Sequence, residues 1–179
     1  REAQGQYFLR MDADDVMHPK RCRRQYEFLE GCSAETVVGT MAYSLSDSGE
    51  VLGLRYCSSD PEAGFGARRS FIHPTVAART AWFQENPYNG HPIFHRSEDA
   101  ELWCRAQPKS KYEVMKEPLL YYREGNSAGL EPYIGSVMGG IALLATRYRE
   151  PKIQFFRHLV LETGKLVVTC MAAGTPAQG

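Results

Sequence analysis

The sequence lacks several patterns that mark common classes of protein. Its five cysteines are scattered without a Cys-x-x-Cys pair, and neither His-x-His nor His-Glu-x-x-His spacing occurs. These absences argue against a disulfide framework and a zinc cluster, and they favour a reducing cytosol. Charge of one sign is not in excess either, because 21 basic residues balance 21 acidic ones. A neutral chain has no global field for nucleic acid or an acidic membrane, so we expect no nucleic-acid partner.

The chain also lacks an internal repeat, a low-complexity segment and an uncharged apolar run long enough to span a bilayer. Its most apolar stretch is a predicted helix at about residues 152–172, which Arg157, Glu162 and Lys165 interrupt. We expect this helix to dock on the domain, with a homo-oligomer contact or a peripheral membrane contact as alternatives. The predicted location is cytoplasmic, with membrane association at the cytoplasmic face left open.

The composition that is present is that of a globular domain, with 43% hydrophobic and 23% charged residues. Hydrophobic periodicity and turn residues predict strands and helices along the chain. The predicted strands cover residues 7–11, 36–45, 51–56, 111–115 and 119–123, and the predicted helices cover about residues 20–29, 98–106, 132–148 and 152–172. In the first helix, Cys22, Tyr26 and Leu29 share one side and predict its apolar face. Residues 86–97 are predicted to form a long loop.

An acidic loop, residues 12–15, directly follows the first predicted strand and contains Asp12, Asp14 and Asp15. Carboxylates at the carboxyl end of a strand in an α/β sheet lie at the crevice where ligands bind. Two acids spaced by two residues can present oxygens to a hard divalent cation, which can bridge a diphosphate. The structural alternative is an ordinary Asp-rich turn that caps the helix starting near Pro19.

Three further segments carry candidate chemistry. Glu98 and Asp99 open a predicted helix, where a carboxylate can act as a general base or can simply complement the helix dipole. His73 precedes a proline, which is typical of a rigid turn with a hydrogen-bonded histidine. Arg123 ends the last predicted strand before a small polar loop, and its structural alternative is a solvated side chain at a sheet edge.

In this order, four segments resemble family 2 glycosyltransferases: residues 5–19, 73–76, 97–103 and 117–123. The resemblance implies a GT-A-type, Rossmann-like mixed sheet flanked by helices. It covers a catalytic domain at residues 1–130, followed by a C-terminal helical extension at residues 131–179. The βαβ region that holds the nucleotide base in the family has no counterpart before the acidic loop. We therefore expect an N-terminally truncated domain that is poorly stable alone, binds nucleotide-sugar weakly and is inactive in isolation.

The resemblance also implies the chemistry. A hexosyltransferase-like enzyme would move a sugar, with inversion, from a nucleotide-diphospho-sugar to a hydroxyl of a glycan or lipid-linked acceptor. Asp12 would lie near the ribose and the metal, Asp14 would bind the Mn²⁺ or Mg²⁺ that holds the diphosphate, and Asp99 would be the general base. The acceptor side would comprise Glu98, His73 and Trp103. These roles require the acidic loop and Asp99 to share a cleft.

Two functions of other classes are kept as alternatives. A non-catalytic interaction module would use the helical tail for assembly and leave Asp14 and Asp99 idle. A zinc metallohydrolase would gather His73, His91 and His95 around a metal, although no metal-ligand spacing supports it. In the transferase interpretation, His91 and His95 lie in a loop over the acceptor site.

Overall fold

The computed structural model describes residues 2–57, 71–124, 130–146 and 164. The chain divides into two compact units, one made of Arg1–Pro87 with Leu102–Gly125 and the other of Tyr88–Glu101 with Asn126–Gly179. The strands are β1 (Tyr7–Leu9), β2 (Val16–Met17), β3 (Thr36–Leu45), β4 (Val51–Arg55), β5 (Ala77–Arg79) and β6 (Lys111–Arg123). The helices are α1 (Arg21–Glu30), α2 (Thr80–Glu85), α3 (Glu98–Ala106) and α4 (Leu130–Thr146).

A six-stranded mixed sheet runs through the first unit in the order β1-β5-β3-β6-β2, and β4 also pairs with β3. β3 and β6 are parallel, whereas the other described pairs are antiparallel. The sequence predicted two strands where β6 is one, because Pro118 lacks an N–H and suggests a break. In the structure the strand continues through Pro118 with a bulge, because Thr40 pairs with Met115 but the next residue, Met41, pairs with Pro118.

The core lies on both faces of β3. Val37 and Val38 are fully buried, and as neighbours in a strand they point to opposite faces. Val37 belongs to a cluster that includes Trp82 from α2 and Trp103 from α3, whereas Val38 belongs to one that includes Leu29 from α1. Helices therefore cover both faces of the sheet, and the predicted α/β fold class with a mixed sheet is confirmed.

The apolar face predicted for α1 was wrong at two of its three positions. Cys22 and Tyr26 are exposed, and only Leu29 is buried as expected. The residues that accompany Leu29 inward are polar: Arg21 and Gln25, both fully buried. The buried face of the helix is therefore partly polar and differs from the apolar face that the sequence pattern predicted.

The polar face of α1 supplies donors to backbone carbonyls. The Nη2 of Arg21 donates to the carbonyl of Arg10 over 2.6 Å, and the Nε2 of Gln25 donates to the carbonyl of Thr75 over 2.8 Å. The Nε of Arg21 also donates to Oε1 of Gln25 over 2.9 Å. Since buried carbonyls without partners destabilise a fold, these bonds explain why two polar side chains are buried.

α4 confirms most of the helix predicted at residues 132–148. The last predicted helix, at about residues 152–172, lies outside the described residues except for Gly164. Within the described parts of the chain, no helix has both the length and the apolar character needed to cross a bilayer.

Candidate active site

The acidic loop is held against the end of β6. Asp15 is buried, and its Oδ1 accepts a hydrogen bond from the backbone N–H of Arg123 over 3.0 Å. The Nε of Arg123 donates in turn to the carbonyl of Asp14 over 3.2 Å. The carboxylate of Asp14 remains exposed, and that of Asp12 keeps 40% of its surface. The loop therefore buries one carboxylate as an anchor and leaves two accessible.

Arg123 also ties the acidic loop to the β3–β4 hairpin. Its Nη1 donates to the carbonyls of Ser46 and Asp47 over 3.1 and 3.0 Å. The sequence alternative of a merely solvated arginine is therefore wrong, because the guanidinium bonds three carbonyls of two loops. The sequence shows an arginine at the end of a predicted strand and an acidic loop elsewhere in the chain. It does not show that Arg123 and Asp15 are hydrogen-bonded to each other.

The exposed carboxylates have the chemistry of a hard-cation site. Asp12 lies beside Arg10, whose Nη2 is 2.8 Å from its Oδ1. In the described chain, no three His, Cys, Asp or Glu side chains are arranged to hold a metal. Magnesium-type sites in phosphoryl enzymes use one or two protein carboxylates, with water and substrate phosphates completing the shell. Asp12 and Asp14 supply two carboxylates of this kind.

The buried charged side chains in and next to the acidic loop have polar atoms without hydrogen-bond partners among the described residues. Burial raises the pKa of Asp15 above its usual range, although the hydrogen bond from the N–H of Arg123 acts to lower that pKa. Burial lowers the pKa of Arg21 to about 10. Three buried atoms, Nη1 of Arg10, Oδ2 of Asp15 and Nη1 of Arg21, have no hydrogen-bond partner among the described residues. Such local violations of good packing chemistry are typical of functional sites.

Two of the acceptor-side residues meet in the first unit. His73 begins a 3₁₀ turn (His73–Thr75), and its ring stands edge-on to that of Trp103 with the centroids 5.9 Å apart. Trp103 is only 5% exposed and also contacts Phe71 and Tyr112. Most of its indole therefore belongs to the core, and the acceptor roles of both residues stay predictions.

Glu98 and Asp99 belong to the second unit, where they form the first turn of α3. Both are partly exposed, and Oδ1 of Asp99 accepts a hydrogen bond from the N–H of Ala100 over 2.7 Å. A carboxylate in the first turn of a helix interacts favourably with the helix dipole. Whether Asp99 faces the acidic loop, as the resemblance implies, stays a prediction.

The loop before α3 carries the two histidines that we expected near an acceptor. His91 and His95 flank a 3₁₀ turn (Pro92–Phe94) and are exposed, and Nδ1 of His91 accepts from the N–H of Ile93 over 3.3 Å. His91 also contacts the ring of Phe94. The described residues hold no three-ligand cluster that includes either histidine.

α4 packs closely against the segment that leads into α3. A Cβ atom on Gly139 would lie 1.9 Å from Oγ and 2.9 Å from Cβ of Ser97, and 3.2 Å from the carbonyl of Ile93. One helical turn earlier, a Cβ on Gly135 would lie 3.0 Å from Cγ of Arg96. Only glycine allows the helix backbone to approach this closely, so α4 supports the residues immediately before Glu98.

Replacing Gly139 with alanine is expected to lower the free energy of unfolding by about 1–3 kcal/mol through overpacking, despite the better helix propensity of alanine. Adding Ser97→Gly removes both clashing atoms, so the double variant is expected to recover most of the loss. Gly90→Ala is the control, because a Cβ there meets nothing within 4 Å. Chemical denaturation of Gly139→Ala, Ser97→Gly, the double variant and Gly90→Ala measures the coupling, and equal costs of Gly139→Ala with and without Ser97→Gly would contradict the close approach.

Comparison with known proteins identifies the family. A mixed sheet with helices on both faces defines an α/β protein, and the acidic loop follows its first strand. The profile of Glycosyl transferase family 2 matches residues 1–94, just over half of the chain. The chain therefore belongs to glycosyltransferase family 2.

Two relatives are similar over shorter parts of their own length. The uncharacterized glycosyltransferase MJ1057 of Methanocaldococcus jannaschii is 26% identical over 129 residues, which cover 69% of this chain and 44% of that protein. The provisionally assigned glycosyltransferase EpsE of Bacillus subtilis is 35% identical over 105 residues, which cover 58% of this chain and 37% of that protein. The chain thus matches less than half of the length of either relative.

Proposed function

We propose that the protein transfers a sugar, with inversion, from a nucleotide-diphospho-sugar to a hydroxyl of a glycan or lipid-linked acceptor. The reaction would depend on Mn²⁺ or Mg²⁺ and would serve the synthesis of polysaccharide, lipopolysaccharide or another glycan. The observation that carries this proposal is the acidic loop of a family 2 chain, in which Asp15 is anchored while Asp12 and Asp14 stay accessible.

The acidic loop would hold the donor's metal through Asp14, with Asp12 beside it. A bound divalent cation stabilises the negative charge that develops on a departing diphosphate. The protein's contribution is to fix the loop in advance. Arg123 holds the backbone at Asp14 and the side chain at Asp15, so little reorganisation is required when the donor binds.

Asp99 would act as the general base. It would take the proton of the acceptor hydroxyl as that oxygen bonds to the anomeric carbon and the bond from this carbon to the diphosphate oxygen breaks. Its Oδ1 already accepts a hydrogen bond from the N–H of Ala100, so Oδ2 would take the proton. Acceptor contacts by Glu98, His73 and Trp103 belong to the same proposal, as does a cytoplasmic location at or near the membrane face.

A donor screen tests the proposed function. The natural full-length gene product is incubated with UDP-, GDP- and dTDP-sugars, and release of the nucleoside diphosphate is followed with and without Mn²⁺. We expect release from one class of donor, loss of release with EDTA and recovery with added Mn²⁺. A folded protein that neither turns over nor binds any of these donors would support the interaction-module alternative instead.

A further inference from the structure

Arg10 connects β1 to the acidic loop and has a rigid backbone. Its N–H donates to the carbonyl of Val76 over 2.9 Å, and its carbonyl accepts from Nη2 of Arg21 over 2.6 Å. The guanidinium is held differently: its Nη2 lies 2.8 Å from Oδ1 of Asp12. Its Nη1 is buried and has no hydrogen-bond partner in the described parts of the chain. The backbone is therefore fixed at both ends, while the side chain is held through one ion pair.

That ion pair competes with the proposed metal for the same carboxylate. A guanidinium and a divalent cation beside Asp12 repel each other, unless an anion lies between them or the arginine changes partner. The charges lead to the same conclusion. The side chains of Asp12, Asp14 and Arg10 carry one net negative charge, which a bound dication would convert to one net positive charge. The loaded site would then attract an anion.

The anion that fits is a diphosphate. Arginine presents parallel N–H donors in a planar fork that matches phosphate oxygens, and the side chain of Arg10, whose Nη2 contacts Asp12, keeps 24% of its surface. A diphosphate held by the metal would bring its oxygens to the same edge of the loop. The metal and the arginine would then share the ligand instead of competing for Asp12.

We propose that Arg10 is a diphosphate-binding residue that changes partner. It pairs with Asp12 while the acidic loop holds no cation, and it bonds the diphosphate once a divalent cation takes Asp12. This inference rests on the proposed function, and it adds a property that the function alone does not require. Metal and diphosphate bind synergistically, because each relieves the electrostatic cost of binding the other.

Titration with Mn²⁺ alone and with Mn²⁺ plus inorganic pyrophosphate tests the exchange, using calorimetry and the electron paramagnetic resonance of Mn²⁺. Arg10→Gln should shift the two affinities in opposite directions. Mn²⁺ alone binds about 3- to 10-fold more tightly, because a competing positive charge is gone. The Mn²⁺–pyrophosphate complex binds about 10- to 100-fold more weakly, because a charge-assisted bidentate contact is lost.

Two further variants isolate the cause. Arg10→Lys keeps the charge and loses the fork, so we expect unchanged binding of Mn²⁺ alone and several-fold weaker binding of the complex. Arg23→Gln removes the same charge from an exposed arginine of α1 whose side chain keeps 82% of its surface, and it should change neither affinity. Circular dichroism and thermal melts confirm that each variant is folded.

The outcomes separate this inference from the proposed function. If the natural protein binds the Mn²⁺–pyrophosphate complex and Arg10→Gln leaves both affinities unchanged, or weakens both equally, the partner exchange is wrong and the proposed function stands. If the folded natural protein binds neither Mn²⁺ nor the complex, the proposed metal site fails and Arg10 loses its role with it. Opposite shifts in Arg10→Gln, together with the Arg10→Lys pattern, support the exchange.

Discussion

Asp14→Asn is expected to lower kcat/KM by on the order of 10³-fold and to abolish measurable Mn²⁺ binding. The carboxylate is exposed, and its own backbone carbonyl is already bonded to Nε of Arg123. Asparagine therefore keeps the shape and the backbone bond but removes a charged oxygen ligand. Loss of metal stabilisation of the leaving group is worth several kcal/mol, which corresponds to a rate effect of about this size. Steady-state kinetics and Mn²⁺ titration measure the two effects.

Asp47→Asn is the matched control for this substitution. Asp47 is exposed in the same unit, and Arg123 uses its carbonyl oxygen rather than its carboxylate. The change of charge is identical, so Asp47→Asn should leave kcat/KM and Mn²⁺ affinity within about twofold of the natural values. Near-normal turnover and Mn²⁺ binding in Asp14→Asn would show that the acidic loop is an ordinary Asp-rich turn and not a metal site.

The elements of this site that are neighbours in the sequence could be predicted from the sequence. A short apolar strand running into Asp12 and Asp14, then a helix after Pro19, is a contiguous pattern, and the structure has β1, the acidic loop and α1 in that order. Local periodicity and turn chemistry are sufficient for such elements. The short strand β2 was missed, because two residues are too few to show a period.

The anchoring of the acidic loop could not be predicted, because its partners are far apart in the chain. Asp15 and Arg123 are separated by 108 positions and meet because β2 pairs with the end of β6, where Val16 lies opposite Tyr121. No propensity scale encodes that register. It follows from the whole sheet, including the bulge that sets where β6 ends relative to β3.

The prediction of an apolar face on α1 failed for a related reason. Amphipathic patterning assumes that a helix packs on an apolar surface, yet Arg21 and Gln25 pack on backbone carbonyls of Arg10 and Thr75. A rule that counts apolar residues assigns those two side chains to solvent. The need of buried carbonyls for donors outweighed the apolar pattern here, next to the proposed metal site.

Asp99→Asn is expected to lower kcat by about 10²- to 10⁴-fold, the range that a positioned general base contributes. Asparagine can still accept the hydrogen bond that Ala100 donates, so the first turn of α3 should keep its geometry. It cannot take a proton from an acceptor hydroxyl at neutral pH. Binding of the Mn²⁺–pyrophosphate complex should be unchanged, because the proposed role of Asp99 is to take a proton from the acceptor and not to hold the metal or the diphosphate.

Glu98→Gln separates a base from a neighbouring charge. Glu98 precedes Asp99 in the same helical turn and is also partly exposed, so both substitutions remove one negative charge from the start of α3. If the carboxylates only complement the helix dipole, each substitution should destabilise α3 by a similar few tenths of a kcal/mol, about the size of a surface dipole effect, and neither should change kcat strongly. If Asp99 is the base, its substitution alone should reduce kcat by orders of magnitude, while Glu98→Gln chiefly raises KM for the acceptor. Equal, small effects of both substitutions on kcat would remove Asp99 from the mechanism.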